Sequence, residues 1–298
     1  MGKPYLTVII PTYNRAEKLD RSLAYLFEQD MAHESYEVIV VDDGSMDETD
    51  KVLKAWKENW PQLSTLHQSN SGQALARNRA IKKAQGQVLL MCQDDIYASP
   101  GFLKEHVKFH QENPESSMAC LGLTEWWPDS EPSAYMKWLT HNGPQFAYNK
   151  LTPEESVTHW FFYTSNISLK TQVLKENLFN EDFQTYGWED IELGYRLMSK
   201  GLELIYQPVA LAWHDHPMTP DSLKKRMLAI GAGAHKFEKI CPSVNVVPKG
   251  LKLMLLTLIG NRFTTSFLAL LSPLGLRFRH AYWYALSKRY FLQGLRSV

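Results

Sequence analysis

Short apolar runs alternate with amphipathic segments over the first third of the chain. The runs occupy residues 6–11, 37–41, 63–67 and 87–92. After each run, apolar residues recur at helical spacing, as Leu19, Leu23 and Leu26 do after the first. This alternation predicts β-α units, and strands that are apolar throughout are typical of a parallel sheet with helices on both faces. We therefore predict an α/β fold with a Rossmann-like, mostly parallel open sheet.

Polar clusters with candidate ligand-binding side chains follow the first, second and fourth predicted strands. They lie at 12–15, 42–45 and 94–95. In open α/β sheets, ligands bind beyond the carboxyl ends of the strands. The sequence therefore predicts that three separate loops converge on one ligand site.

Beyond Met118 the pattern becomes irregular, with three tryptophans and two prolines in quick succession. We predict loops and short pieces there, which would shape a binding site. A further strand is predicted at 163–170, and a helix follows the Glu-Asp pair that begins at Glu189. Two more strand pieces are predicted at 202–206 and 209–213.

The composition changes near the C-terminus, where two apolar clusters lie at 251–259 and 267–276. A transmembrane helix needs about 20 uninterrupted apolar residues, and neither cluster reaches that length. Lysine, arginine and aromatic residues are interleaved with both clusters, a combination typical of helices that lie at a membrane interface. A hydrophobic lid or a dimer surface is an equally weighted alternative. We predict a helical extension that leans towards the membrane.

Composition limits the function classes. A chain of 298 residues, 44% hydrophobic and 21% charged, can bury a core, which argues against disorder. Lys+Arg and Asp+Glu each number 32, so no overall field attracts nucleic acid, and none is predicted as a partner. The three cysteines lack metal-site spacing and cannot all pair, which indicates reduced thiols. With no secretory signal visible, we expect a cytoplasmic protein that can lie peripherally at the cytoplasmic face of the membrane.

Carboxylates and one arginine are the first candidates for chemistry. Asp94 and Asp95 are placed to hold a divalent cation, although a helix cap or a solvated turn explains the pair equally well. Asp42 and Asp43 could accept hydrogen bonds from a nucleobase and ribose, but Asp-Asp-Gly-Ser is more often an ordinary turn. Arg77 could bind phosphate oxygens, the alternative being a solvated arginine on a helix face.

Taken in order, several motifs resemble the inverting glycosyltransferases of family 2, which have the GT-A fold. The motifs are Pro11-Thr12-Tyr13-Asn14-Arg15, Val41-Asp42-Asp43-Gly44-Ser45-Met46-Asp47, Gly72 with Ala76-Arg77-Asn78, Gln93-Asp94-Asp95, and Gly187-Trp188-Glu189-Asp190 with Leu193 and Arg196-Leu197. Each is weak alone. Their order, spacing and placement after predicted strands, over roughly residues 6–216, carry the resemblance.

The resemblance implies an enzyme that transfers a sugar from a nucleotide-diphosphate donor, with inversion and with Mn²⁺ or Mg²⁺. The implied acceptor is a glycan, a lipid-linked saccharide or a polysaccharide, as in cell-surface polysaccharide synthesis. The residues expected to bind the donor are Pro11, Thr12, Tyr13, Arg15, Asp42, Asp43, Gly44, Ser45, Arg77, Gln93 and Asp94. Asp95 would be the metal-facing end of an Asp-x-Asp motif. Gln93 replaces its first aspartate here, and the lost charge is expected to lower metal affinity.

The resemblance also implies that the catalytic base comes from the pair Glu189-Asp190. Inversion by direct displacement needs a carboxylate that takes the proton of the acceptor hydroxyl. A carboxylate at a helix N-terminus is held in place and kept ionised by the helix dipole. We favour Asp190 as the base, then Glu189, with a simple helix cap as the alternative.

His214 follows a predicted strand, and neutral imidazole is a competent manganese ligand. A solitary histidine is more often structural. Its place after the Glu-Asp helix resembles that of the third metal ligand in some relatives, so we predict Asp95 and His214 as metal ligands. His216 is the less favoured alternative.

Two other functions stay open. A nucleotidyltransferase would use a similar fold and metal, but it would usually carry a Gly-rich, basic phosphate loop, which residues 11–15 do not supply. A non-catalytic module that binds nucleotide sugars or glycans is favoured by Gln93 and opposed by the Glu-Asp pair.

For the domain organisation, we predict a GT-A domain at 1–245 and an amphipathic helical extension at 246–298. Within the domain, the nucleotide-binding half would be 1–117 and the acceptor and catalytic half 118–245. The predicted partners are a nucleotide-diphosphate sugar, a glycan or lipid-linked acceptor and, through the extension, a membrane surface.

Overall fold

The computed structural model describes residues 3–141, 143, 145–183 and 187–297. The chain divides into two compact units. The first unit comprises Met1–Glu131, Tyr148–Gln184 and Glu189–His216. The second comprises Pro132–Ala147, Thr185–Trp188 and Pro217–Val298.

The first unit is built on a sheet that has nine strands among the described residues. The strands are β1 (Leu6–Thr12), β2 (Tyr36–Asp42), β3 (Leu63–His67), β4 (Val88–Met91), β5 (Ile96–Ala98), β6 (Met118–Trp126), β7 (Ser156–Val157), β8 (Ile167–Lys170) and β9 (Glu203–His214). Their order across the sheet is β3-β2-β1-β4-β8-β6-β9-β5, and β7 pairs with β9.

Helices connect these strands and make up most of the second unit. Those of the first unit are α1 (Ala16–Phe27), α2 (Thr49–Asn59), α3 (Gln73–Lys83), α4 (Phe102–Glu112), α6 (Thr171–Glu176) and α7 (Glu189–Met198). Those of the second are α5 (Ala134–His141), α8 (Pro220–Ile240), α9 (Gly250–Gly260), α10 (Arg262–Leu271) and α11 (Leu276–Leu295). Short 3-10 helices lie at His33–Ser35, Pro128–Ser130, Tyr148–Lys150, His159–Phe161 and Ser272–Leu274.

The parallel part of the sheet forms the core of the first unit. β1 pairs in parallel with β2 and β4, and β2 pairs in parallel with β3. All of β1 is buried, as expected of a strand covered on both faces. Val8 and Ile10 share one buried cluster with Leu19 and Leu23 of α1. The predicted α/β fold with a mostly parallel sheet is confirmed, and the four predicted strands agree with β1 to β4 to within one residue.

The other part of the sheet is mixed. β8 runs antiparallel to β4 and β6, β6 runs parallel to β9, and β5 runs antiparallel to β9. The prediction of loops beyond Met118 is wrong at its start, because 118–126 is a strand of nine residues. Gly122, Thr124 and Glu125 interrupt its apolar run. Residues 118–126 form a strand because they pair with β8 and β9, which are distant along the chain. The local pattern of apolar residues does not reveal such pairing.

β9 is one strand of 12 residues, where two pieces were predicted. The pairing of β6 with β9 shifts register between Gly122 and Leu123, which leaves residues 208–210 of β9 unmatched. Asn166 Nδ2 donates hydrogen bonds to Leu123 O at 3.0 Å and to Ala210 O at 2.9 Å at this bulge. The interruption seen in the sequence is therefore a bulge, a device that re-aims the end of a strand.

The second unit is helical. α8 begins with a capping box, in which Thr219 Oγ1 accepts a hydrogen bond from Ser222 N at 3.2 Å. α8 and α11 approach so closely that a Cβ atom at Gly231 would collide with Phe291 O, and one at Gly294 with Leu228 O. The predicted helical C-terminal extension is confirmed. Its predicted boundary at residue 245 stays a prediction.

A helix that crosses a bilayer must be both long and apolar. No single helix among the described residues is long and apolar enough to cross a bilayer. Gly250–Gly260 and Arg262–Leu274 pass that criterion only as a pair, and the pair is bent by 47°.

Candidate active site

The polar loops after β1, β2 and β4 meet at one edge of the first unit's sheet, as the sequence predicts. They form a pocket that is open to solvent. The pocket is lined by Pro11, Thr12, Tyr13, Arg15, Asp43, Gln73, Ala76, Gln93 and Asp94. Gln73 and Ala76, on α3, are additions to the predicted donor-binding residues.

The loop after β2 is tied to the loop after β1. Asp42 Oδ1 accepts a hydrogen bond from Ser45 N at 2.9 Å, which closes a turn. Gly44 has a φ of +86°, and a Cβ atom there would lie 2.9 Å from Asn70 N, so the position requires glycine. Ser45 Oγ in turn accepts a hydrogen bond from Asn14 N at 2.8 Å. Asp42, Gly44 and Ser45 therefore shape the loop beside the pocket, as the turn alternative expects.

Asp43 lines the pocket and also holds the loop before α3. Its Oδ1 accepts hydrogen bonds from Gln68 Nε2 at 2.7 Å and Ser71 N at 2.8 Å, and its Oδ2 accepts one from Gly72 N at 2.9 Å. A carboxylate has about four lone-pair sites, so these three bonds leave capacity for a ligand hydroxyl. The side chain is thus fixed in position before any ligand binds.

Arg15, Thr12 and the pair Asp94-Asp95 form the charged wall of the pocket. Arg15 Nη1 lies 3.1 Å from Asp94 Oδ1 and 2.6 Å from Asp95 Oδ2, and Thr12 Oγ1 donates to Asp94 Oδ2 at 2.8 Å. Burial, followed by the neighbouring Asp95, raises the pKa of Asp94 to about 6 against the opposing effect of Arg15. The wall therefore gathers negative charge that a cation can neutralise.

Asp95, His214 and His216 form one cluster of possible metal ligands. One ligand atom from each lies within 4.8 Å of the others. His216 Nδ1 is 2.9 Å from Asp95 Oδ2, and His214 Nε2 is 3.5 Å from Asp95 Oδ1. Burial alone would raise the pKa of Asp95, but the two histidines and Arg15 hold it well below its usual value. His216, the less favoured alternative, is as well placed as His214.

Two observations, one on Asp95 and one on Asp215, support a divalent cation as the ligand of this cluster. Asp95 Oδ1 is buried and has no hydrogen-bond donor of ordinary geometry among the described residues, since His214 Nε2 lies 3.5 Å away, and this is the state of an atom that can take another ligand. The intervening Asp215 turns its carboxylate away, to Tyr97 Oη at 2.7 Å, so two imidazoles and one carboxylate remain. Imidazole and carboxylate together suit first-row divalent metals.

Arg77 is almost completely buried, at 1% exposure, which excludes the solvated-arginine alternative. Its Nη1 lies 3.5 Å from Glu189 Oε1, and its Nη2 donates to Gln73 Oε1 at 2.8 Å. Gln73 precedes Arg77 by four residues on α3, so the two side chains lie on one face of the helix. The chain of contacts therefore runs from the pocket wall to the start of α7.

Asp190 follows Glu189 in the first turn of α7, and its Oδ1 accepts a hydrogen bond from Ile191 N at 2.8 Å. Burial and the charge of Glu189 raise the pKa of Asp190 to about 7, against the opposing effect of Arg77. A carboxyl group with a pKa near neutrality can both accept and release a proton at physiological pH.

Comparison with known sequences decides the family. The profile of Glycosyl transferase family 2 matches residues 7–165, more than half of the chain. The chain belongs to glycosyltransferase family 2.

Several relatives of this family 2 glycosyltransferase extend the match. The uncharacterized glycosyltransferase YfnE of Bacillus subtilis is 28% identical over 282 residues, which cover 78% of this chain and 71% of YfnE. Validoxylamine A glucosyltransferase of Streptomyces hygroscopicus subsp. jinggangensis is 30% identical over 67% of this chain. The match spans only about half of that relative, 53%.

Solved structures confirm the GT-A fold. The mannosyltransferase PcManGT from Pyrobaculum calidifontis, in complex with GDP-Man and Mn²⁺, has a TM-score of 0.68 at 18% identity, over 99% of this chain and 87% of PcManGT. Residues 1–349 of TarS from S. aureus have a TM-score of 0.57 at 19% identity, over 97% of this chain and 91% of the TarS chain. At such identities the likeness concerns the fold alone.

In the family 2 enzyme, the predicted donor residues lie in three places. Seven line the pocket, three shape the adjoining turn, and Arg77 lies one helical turn beyond the pocket-lining Gln73. The i, i+4 spacing of Gln73 and Arg77 was the sequence signal for Gln73. The Gly187-Trp188 part of the last motif belongs to the second unit, where Trp188 Nε1 donates to Ile230 O at 2.9 Å.

Proposed function

We propose that this family 2 glycosyltransferase transfers a sugar from a nucleotide-diphosphate donor, with inversion and with the help of a divalent cation. The observation that carries the proposal is the position of one pocket between two groups of ionisable residues. Asp94 and Arg15 connect it to the cluster of Asp95 and two histidines, and Gln73 connects it to Arg77 and Glu189.

A nucleotide-sugar donor is supported by the ligands of the structural neighbours. PcManGT was solved with GDP-Man, and TarS was solved with UDP and with UDP-GlcNAc. In this chain, the loops after β1 and β2 would hold the nucleotide, with Asp43 already fixed to accept a hydrogen bond. Tyr13, 45% exposed at the pocket, offers a ring against which a base can pack.

Asp95, His214 and His216 would hold the cation. When bound, the cation supplies positive charge that neutralises the leaving diphosphate. Two imidazole ligands favour Mn²⁺ over Mg²⁺, because Mg²⁺ prefers oxygen ligands. Arg15 binds both Asp94 and Asp95, so it keeps this negative wall compact and carries a charge that can turn towards phosphate oxygens.

Asp190 would act as the base. One of its carboxylate oxygens takes the proton of the acceptor hydroxyl while the hydroxyl oxygen forms a bond to the anomeric carbon. The bond from the anomeric carbon to the diphosphate breaks on the opposite side, and its electron pair leaves with the diphosphate. Because Arg77 pairs with Glu189, the neighbouring carboxylate is compensated, and Asp190 is the one whose pKa is suited to this transfer.

The acceptor class is a further part of the proposal. We assign a glycan, a lipid-linked saccharide or a polysaccharide, because such an acceptor offers the hydroxyl group that a base must activate. Chondroitin synthase of Escherichia coli, 26% identical over 71% of this chain and 35% of its own length, is a relative whose name denotes polysaccharide synthesis. A cytoplasmic location is a further part of the proposal, supported by Cys92 and Cys120, which are buried as thiols.

A panel of nucleotide sugars tests the donor and the cation together. A ligand that binds only the folded state raises the melting temperature. We expect one donor to do so with Mn²⁺ and to lose the effect with a chelator. No stabilisation by any donor, with or without metal, would contradict the proposal.

The same panel separates catalysis from simple binding. Release of the nucleoside diphosphate in the presence of an oligosaccharide acceptor identifies an enzyme, and the anomeric configuration of the product reports inversion. Stabilisation by a donor without any release or transfer would instead identify a binding module.

A further inference from the structure

The helix α9 is exposed along most of its length although it is strongly apolar. Of its eleven residues, only Gly260 is buried. Leu251, Met254, Leu255 and Leu258 are 67%, 53%, 49% and 56% exposed. Their spacing of three and four residues places them on one stripe of the helix.

The next helix continues this exposure. Phe263, Phe267 and Leu270 of α10 are 89%, 61% and 75% exposed, again at helical spacing, and Leu274 just beyond is 71% exposed. We name these two stripes the apolar C-terminal surface. Soluble monomers rarely expose so many large apolar side chains together, and such patches mark sites of interaction.

Charge around the apolar C-terminal surface has one sign. The last acidic residue of the chain is Glu238, whereas nine of the 32 basic residues lie in 239–298. The remainder of the chain therefore has 23 basic residues against 32 acidic ones, a net charge of −9 that the C-terminal +9 cancels. Lys252, Arg262 and Arg277, which border the stripes, are exposed.

We propose that the apolar C-terminal surface binds the anionic face of a lipid bilayer, with α9 and α10 lying in the interface. The exposed leucine and phenylalanine side chains would enter the boundary between headgroups and acyl chains, and the bordering basic groups would face lipid phosphates. A second copy of the chain fits less well. Pairing the surface with itself would bring two sets of basic groups together, and α9 and α10 carry no carboxylate side chain of their own to compensate them.

The structure also provides a platform that keeps the stripes in place. Arg289 Nη1 on α11 donates a hydrogen bond to Thr265 Oγ1 on α10 at 2.9 Å. Gly260, at the end of α9, lies so close to α11 that a Cβ atom there would be 2.8 Å from Arg289 N. Substitutions at Phe263 and Phe267, on the outer side, therefore leave these packing contacts intact.

Sedimentation of the full chain with vesicles tests the proposal. We expect binding to vesicles of phosphatidylglycerol and phosphatidylcholine, little binding to phosphatidylcholine alone, and a decrease as salt increases. The double variant Phe263→Ser/Phe267→Ser should bind at least about tenfold more weakly. Val209→Ser, which removes an apolar side chain 61% exposed in the first unit, is the matched control and should bind normally.

Charge reversal tests the electrostatic part. Arg262→Glu/Arg277→Glu should lose the preference for anionic vesicles, whereas Lys51→Glu/Lys57→Glu on α2 should keep it. Circular dichroism and the melting temperature confirm that each variant is folded.

Three outcomes would overturn the proposal. The unchanged chain could fail to bind either kind of vesicle, or the Phe263→Ser/Phe267→Ser variant could bind as strongly as the unchanged chain. A dimer in solution without vesicles, dispersed by the same variant, would assign the surface to a second copy instead. The assay contains no donor, metal or acceptor, so its result is independent of the function in sugar transfer.

Discussion

The strand-end site and the apolar C-terminal surface differ in how they treat charged and apolar side chains. At the site, Asp43, Asp94, Asp95 and Glu189 are all buried. The surface instead exposes large apolar side chains, with no carboxylate in the chain after Glu238. A buried charge is costly unless it is paired, so the site must be ordered by its own contacts. An exposed apolar stripe is not ordered by contacts within the chain, and such stripes mark sites of interaction with other molecules.

The largest expected effect is that of removing the base. Asp190→Asn should lower turnover by about 100 to 10,000 times while donor affinity stays nearly normal, because a general base acts in the transition state. Turnover and donor affinity are measured separately. Glu189→Gln is the matched control and should leave more activity. If both variants turn over normally, the base lies elsewhere in the site.

Loss of the metal cluster should have the next largest effect. Asp95→Ala removes the one carboxylate among the three ligands, so Mn²⁺ binding measured by calorimetry should weaken by more than about tenfold. Metal-dependent donor binding should decline with it. Because Asp95 also pairs with Arg15, the melting temperature without ligands should fall as well, and circular dichroism checks that the variant is folded. Val209→Ser, at an exposed position of β9 five residues before His214, controls for a general effect of substitution on this strand. Donor affinity that is the same with and without a chelator in the unchanged chain would argue against this assignment.

A substitution in the second unit should have a different effect, a loss of stability without a loss of ligand binding. Gly294→Ala would place a methyl group against Leu228 O where α11 crosses α8, and overpacking of this kind costs about 1–3 kcal/mol in unfolding free energy. Denaturant unfolding measures the loss. Donor and Mn²⁺ affinities should not change, whereas Asp95→Ala should weaken both. Gln293→Ala, at an exposed neighbouring position, is the control and should be nearly neutral.

How much could be predicted from the sequence also differs between regions. β1 to β4 were predicted to within one residue because each is an apolar run whose local pattern decides its structure. β6 and the continuity of β9 were missed because partners distant in the chain decide them. Asn166, which bonds two carbonyl groups at the bulge, has no local signal at all.

The predicted site residues show the same division. The pocket-lining residues follow directly from which strands end at one edge. Which side chains contact each other does not, because it depends on distances across the fold. The contact of Arg15 with both Asp94 and Asp95, and the turn of Asp215 towards Tyr97, are of this kind. His214 and His216 both lie near Asp95, and this too depends on the course of the chain at the end of β9, which the sequence does not reveal.

The last expected effect is a dependence on pH that only one of the two regions should show. The pKa of Asp190 is raised to about 7, and the base must be ionised to act. Because kcat/KM reports the pKa values of the free enzyme, kcat/KM should rise with pH up to about 7, by about tenfold per pH unit below that value, and then level off. Binding to phosphatidylglycerol vesicles should stay constant over the same range, because arginine keeps its charge.

Stability provides an independent check on Asp190. Its pKa is higher in the folded chain than the usual aspartate value of 3.8, so the folded state binds the proton more tightly than the unfolded state. The resulting contribution to stability is complete below that usual value and is lost as the pH rises towards about 7. Asp190→Asn cannot titrate and should flatten this part of the stability profile, while Glu189→Gln removes a neighbouring charge and should lower the midpoint of the kcat/KM curve. A kcat/KM profile that is flat between about pH 5 and 8 in the unchanged chain would show that no group with this pKa is the base.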